Sequence, residues 1–181
     1  MLELSLHILD VVENSLMAGA DLVLIGLTVD RTRDRLGLEI ADNGSGIRPQ
    51  DLDRVTDPFF TTRTCRRVGL GLPLLKQAAE QCDGFLEVRS RAGGGTEVTI
   101  ELRLSHIDRP PLGDMGGTLM SLIVGRPEID FVYRQRTGEK EFVLDTREIK
   151  AVLEGVPLSS PEVIDYLKEN IRLGLAELGP I

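Results

Sequence analysis

The chain has 181 residues, 41% of them hydrophobic, which is enough for one domain of ordinary size plus a small appendage around a buried core. A formal net charge of −8 repels phosphate backbones and anionic membranes, and aromatics at 4% without tryptophan supply few base-stacking platforms, so no nucleic-acid and no membrane partner is expected. No run approaches the roughly 18 apolar residues that cross a bilayer, and the start Met-Leu-Glu-Leu-Ser lacks the basic flank of a secretory signal, which sets the expectation of a cytoplasmic protein.

In chain order, Leu4, Ile8, Val11, Val12 and Leu16 recur at helical spacing between Glu3 and Ala18, and Gly19 stands where a helix stops. Residues 21–29 and 36–40 are β-rich runs joined by a charged stretch, a hairpin. Pro49 suits the first turn of a short helix to about Arg54, and a second long helix fits Leu70 to Cys82. Two alternating strands, 85–90 and 96–104, flank the turn Ala92-Gly93-Gly94-Gly95. This order predicts an α+β sandwich of two layers, an antiparallel sheet with helices on one face. Residues 105–117, with Pro110, Pro111 and three glycines, read as a linker. Beyond it, 118–181 reads as a small α+β extension: strands at 119–124, 129–133 and 141–144, then helices at 146–153 and 161–178. Cys65 and Cys82 lie outside any C-x-x-C spacing, so neither a disulfide framework nor a zinc site is written here.

Four segments carry chemistry. On the first helix, Asp10 and Asn14 are one turn apart on the same face. An asparagine oxygen is a hard, neutral ligand for magnesium already bound to phosphates, and a carboxylate beside it can orient or deprotonate an attacking water or hydroxyl. An exposed polar helix face would read the same way. Asp42-Asn43-Gly44-Ser45-Gly46-Ile47 follows a strand; a strand-end carboxylate can accept from the exocyclic amine of adenine, and Gly44 and Gly46 let backbone approach ring and sugar closely. Asp57-Pro58-Phe59-Phe60-Thr61-Thr62, followed by Arg63, Arg66 and Arg67, joins an aromatic anchor to a basic segment suited to an anion. Gly69-Leu70-Gly71-Leu72 opens the second long helix, where bare N–H groups and the helix dipole favour phosphate oxygens.

Each segment alone is common. In this order they resemble the N box, first glycine box, F box and second glycine box of the GHKL superfamily: gyrase, heat-shock chaperone, histidine kinases and mismatch-repair ATPases. Glu13 to Ala20 looks like the N box of mismatch-repair ATPases, whereas Asp57 to Leu72 looks like nitrogen-regulatory-type histidine kinases. The resemblance covers about residues 5–104 and implies the Bergerat fold, the two-layer sandwich read above, with ATP and Mg2+ as ligands. It implies that Asn14 holds magnesium, Asp42 reads adenine, and Gly44, Gly46 and Ile47 border the nucleotide. It places Phe60 and the glycine box Gly69, Leu70, Gly71 and Leu72 around the nucleotide too, Gly69 and Gly71 lining the triphosphate. Thr96 would touch adenine through water.

The hydrolytic members usually carry glutamate where this chain has Asp10, so the shorter arm bears on turnover more than on binding. The N box begins within ten residues of Met1, and neither His7 nor His106 sits in a dimerising helical hairpin, so a self-contained sensor kinase is not expected. His7 lies three residues before Asp10, within possible reach of phosphate. Two functions follow from the resemblance: an enzyme that transfers the γ-phosphate to a separate protein or to water, with Asp10 as catalytic base, or a nucleotide-gated module in which ATP orders residues 61–68 and alters a docking surface. Stand-alone chains of this appearance are often encoded beside iron-only hydrogenase subunits, which points to a protein partner of that kind.

Overall fold

The computed structural model describes residues 3–57, 71–90 and 93–181. The elements in order are α1 (Leu4–Met17), β1 (Leu22–Asp30), β2 (Arg35–Asp42), α2 (Pro49–Leu52), α3 (Gly71–Gln81), β3 (Phe85–Ser90), β4 (Thr96–Arg103), α4 (Met115–Gly125), β5 (Asp130–Thr137), β6 (Lys140–Asp145), α5 (Thr146–Leu153) and α6 (Pro161–Leu178). The six strands form one sheet in the order β3-β4-β2-β1-β5-β6, antiparallel throughout except for β1 beside β5.

Alternation along the strands decides which face is covered. Val23, Ile25, Leu27 and Val29 of β1 are buried, while Leu24 between them is 42% exposed. Register carries the buried face across the sheet: Val88, Val98, Ile40, Ile25, Tyr133 and Leu144 stand side by side, one from each strand. Against it pack Leu4, Ile8, Val11 and Val12 of α1, Leu75 and Ala79 of α3, Met115, Leu119, Leu122 and Ile123 of α4, and Val163, Leu167 and Ile171 of α6, in one continuous core. The result is the expected two-layer α+β sandwich with a mixed, mainly antiparallel sheet.

Residues 118–181 do not stand apart from this core. β5 pairs along the whole of β1 and β6 pairs with β5, so the C-terminal α+β part continues the same sheet. Two local expectations are corrected here. The strand expected at 119–124 is the helix α4, because Met115, Leu119, Leu122 and Ile123 fall on one helical face that meets the core, and the Asp114 side chain caps the helix by accepting from Gly117 N. A short apolar run is compatible with either element, and the tertiary surface chose. The linker expected at 105–117 is tied down at its far end, where Pro111 and Leu112 carbonyls accept from Leu4 N and Ser5 N at 2.9 Å each, closing the start of α1.

A chain shortened to residues 1–104 would leave β1 as an unpaired edge and strip α4 from α1. Loss of the cooperative urea transition and aggregation on size-exclusion chromatography are expected. A soluble, cooperatively unfolding fragment would show that residues 1–104 need neither.

Candidate functional site

The site forms where β2 runs out. Asp42 ends that strand directly opposite Thr96, the first residue of β4, so two positions far apart in sequence share one edge of the sheet. The Asp42 carboxylate accepts from Gly44 N at 2.9 Å and Thr96 N at 3.2 Å on Oδ1, and from the Ser15 hydroxyl of α1 at 2.7 Å on Oδ2. A carboxylate has about four acceptor positions, so one remains for a further donor.

The turn after Asp42 is pressed against its neighbours. A side chain at Gly44 would meet the Ala18 carbonyl at 2.9 Å, and one at Gly95, where φ is +82°, would meet the Asp42 carbonyl at 1.9 Å. Ser45 N donates to Ala18 O and Gly95 N to Gly44 O, stitching the first glycine turn to the end of α1 and to the turn before β4. Asn43 points the other way and accepts from Asp21 N and Leu22 N, both at 3.0 Å, fixing the start of β1. Its role is structural.

Asp10 and Asn14 lie one turn apart on α1, Asp10 exposed and Asn14 half-buried. The first residue of α3 abuts Asp10: a side chain built on Gly71 would come within 3.3 Å of Asp10 Cβ. The described start of the second glycine box therefore sits against the N box, and Leu72 turns inward onto the core. Gly46, with φ of +71°, continues the turn, and Ile47 N donates to Ser90 Oγ at 2.7 Å. A cavity of about 500 Å³ opens beside Asp42, Ser90, Gly95 and Thr96. It reaches the Asp42 end of the arrangement and not Asp10 or Asn14.

Phe60, Gly69 and Leu70, together with Arg63, Cys65, Arg66 and Arg67, lie outside the described residues. His7 is withdrawn from the phosphate contact considered above, since it is 2% exposed and its Nδ1 has no partner among the described residues. Burial holds its pKa below the usual imidazole value, opposed in part by Asp10. Two contributors were missed. Ser15 lies within the Glu13–Ala20 segment, and its hydroxyl, one residue after Asn14, is the signal in the sequence for the contact with Asp42. Ser90, which accepts from Ile47 N and donates to Gly95 O, shows only through strand register.

The sequence pattern of the histidine kinase-, DNA gyrase B- and HSP90-like ATPases matches residues 2–106. The chain belongs to this ATPase family. It is 40% identical over 76 residues to a probable C4-dicarboxylate sensor kinase of Bacillus subtilis, covering 42% of this chain and 14% of that protein. It is 26% identical over 105 residues to a putative NtrY-like sensor histidine kinase of Rickettsia bellii (58% and 17%). The sensor histidine kinase ZraS of Escherichia coli is 29% identical over 100 residues (55% and 21%). The chain thus spans less than a quarter of the length of these relatives, and what it shares with them is an ATPase domain of kinase type. In fold it resembles the N-terminal domain of a DNA repair protein, with a TM-score of 0.56 at 15% identity, over 98% of this chain and 57% of that one. Among the described residues no helix is long and apolar enough to cross a membrane.

Two outcomes follow. Ser15→Ala leaves Asp42 with one donor fewer and should cost about 1 kcal/mol in urea unfolding, against no loss if the hydroxyl contact is idle. For His7 the folded pKa lies below the unfolded value near 6.5, so the unfolded chain takes up the proton first. Stability is full above that value and falls as pH drops through it towards the folded pKa. His7→Leu should flatten the change in urea midpoint between about pH 8 and 5.5, and an unchanged slope would acquit His7.

Proposed function

We propose that this chain binds ATP with magnesium between α1, the β2 turn and α3, and transfers the γ-phosphate to a separate protein or to water. The observation that carries the reading is the Asp42 carboxylate, held by three donors from three elements with one acceptor position left over. That position suits the exocyclic amine of adenine. Guanine offers a carbonyl at the same place and would face a carboxylate, so ATP should be preferred over GTP. Thr96, hydrogen-bonded to Asp42 through its backbone, puts its hydroxyl within 3.1 Å of Ser90 Oγ at the edge of the same cavity.

Magnesium would be held by the Asn14 amide oxygen and by phosphate oxygens, since among the described residues no cluster of three carboxylate, imidazole or thiol groups could hold a metal by itself. When bound, the ion supplies charge neutralisation at the transferring phosphoryl group. Asp10, exposed on the same helix face and against the start of α3, orients the attacking hydroxyl and takes up its proton. At Gly71 a side chain would press on Asp10 Cβ at 3.3 Å and come into contact with its carboxylate at 3.7 Å, so glycine leaves that carboxylate the most room. Phe60, Gly69 and Leu70 complete the pocket in this reading. A cytoplasmic location and a protein acceptor, hydrogenase-associated or otherwise, belong to the same proposal.

Release or transfer of labelled γ-phosphate from magnesium-ATP by the purified chain tests it. Asp10→Asn should lower turnover by about 10²–10³-fold while nucleotide affinity stays within a few-fold. Asn14→Ala should lose turnover and the magnesium dependence of binding together. Asp42→Asn should weaken ATP binding about tenfold or more and erase the preference over GTP, because one acceptor becomes a donor. Wild-type turnover by Asp10→Asn would end its role as the base, and undiminished ATP affinity in Asp42→Asn would end the adenine assignment.

A further inference from the structure

A cavity of about 780 Å³ opens between α4 and α6 and shares no lining residue with the one beside Asp42. Small-molecule sites generally fall between about 300 and 1,000 Å³. Its walls are apolar: Met115 and Met120 from α4, Ile171 and Leu175 from α6. Methionine walls accommodate ligands of irregular shape.

At the cavity's deep side stands Gln135 of β5, only 2% exposed. Its Oε1 accepts from the hydroxyl of Tyr133, a phenol that burial pushes up in pKa and keeps protonated. That bond orients the amide. Among the described residues the Gln135 amide nitrogen has no hydrogen-bond partner, and since Gln135 lines the cavity it is a donor open to a ligand there. Two more donors border the same space. The first turn of α4 leaves Gly116 N–H without a partner among the described residues, since Met115 N, Gly117 N and Thr118 N are bonded to Gly113 O, the Asp114 carboxylate and Asp114 O. Lys168 of α6 has no ion pair or hydrogen bond among the described residues and lies exposed at the mouth. Two further charges border the space: Asp114, whose Oδ1 accepts from Gly117 N while its charge stays unpaired among the described residues, and Arg172, paired with both oxygens of Glu169.

An apolar chamber bordered by three spare donors, Gln135, Gly116 and Lys168, suits an apolar ligand bearing acceptors placed on their side and away from Asp114. We propose that this cavity binds a small organic acid with a hydrocarbon body, its carboxylate oxygens taken by Gln135 and Gly116 and its charge met by Lys168. The site is separate from Asp42 and Asp10 and does not depend on the nucleotide reading.

Calorimetric titration of the full chain without nucleotide tests this, with octanoate as the probe, 1-octanol as the body without the charge, and acetate as the charge without the body. Octanoate should bind saturably, and each comparator at least about tenfold more weakly. The exposed Lys168→Gln should weaken octanoate about threefold or more without touching the fold. Tyr133→Phe with Gln135→Leu removes both partners of the buried bond together and should weaken it about tenfold. Met120→Trp should abolish it by filling the chamber. Absence of saturable octanoate binding would overturn the proposal, as would equal binding of octanol or no loss in Lys168→Gln.

Discussion

A single carboxylate joins the parts of this molecule that matter for its chemistry. Asp42 lies at the end of a central strand, and its oxygens draw in the backbone of the glycine turn, the first amide of β4 and a hydroxyl from α1. Charged acceptors make stronger hydrogen bonds than neutral ones, so three donors on one carboxylate hold sheet, turn and helix at set distances. The glycines serve the same closeness. At Gly44 and Gly95 any side chain would collide with a carbonyl, so the turn rests backbone to backbone on its neighbours. What is left of the carboxylate faces a cavity.

The second constraint is the parallel pairing of β5 with β1. It turns β1 from an edge into an interior strand and makes the C-terminal third part of the same core. α4 then packs on α1 and α6 on α4, so the helix carrying Asp10 and Asn14 is supported from behind by residues beyond the family pattern. Pro111 and Leu112 add to that support by accepting the first amides of α1, and the same two residues border the α4–α6 cavity.

Much of this was legible beforehand. α1, α3, α5, α6 and the first four strands were read within a few residues, because each has a clear period of apolar side chains and a glycine or proline at an end. The four motif segments were legible for a different reason: they are local strings whose order is meaningful. In the structure Gly46 and Ile47 form the turn that follows Asp42, and Gly71 lies against Asp10, a contact the strings do not show. α4 was misread because Leu119 to Val124 is apolar without interruption, and only the packing surface distinguishes a buried helix from a buried strand there. His7 lies on α1 as its spacing indicates, but helical spacing does not tell a face towards solvent from a buried one, and the side chain is buried.

By itself, then, the sequence determined the elements other than α4, the family and the residues that end β2 and open α3, since these depend on local period and local strings. The tertiary structure alone decided that β5 and β6 join the first sheet, that Ser15 reaches Asp42, and that Gln135, held by Tyr133, lines a cavity between α4 and α6. Each of these is a pairing between segments distant in the chain. Such pairings are set by strand register and helix packing, and no local window of sequence contains them.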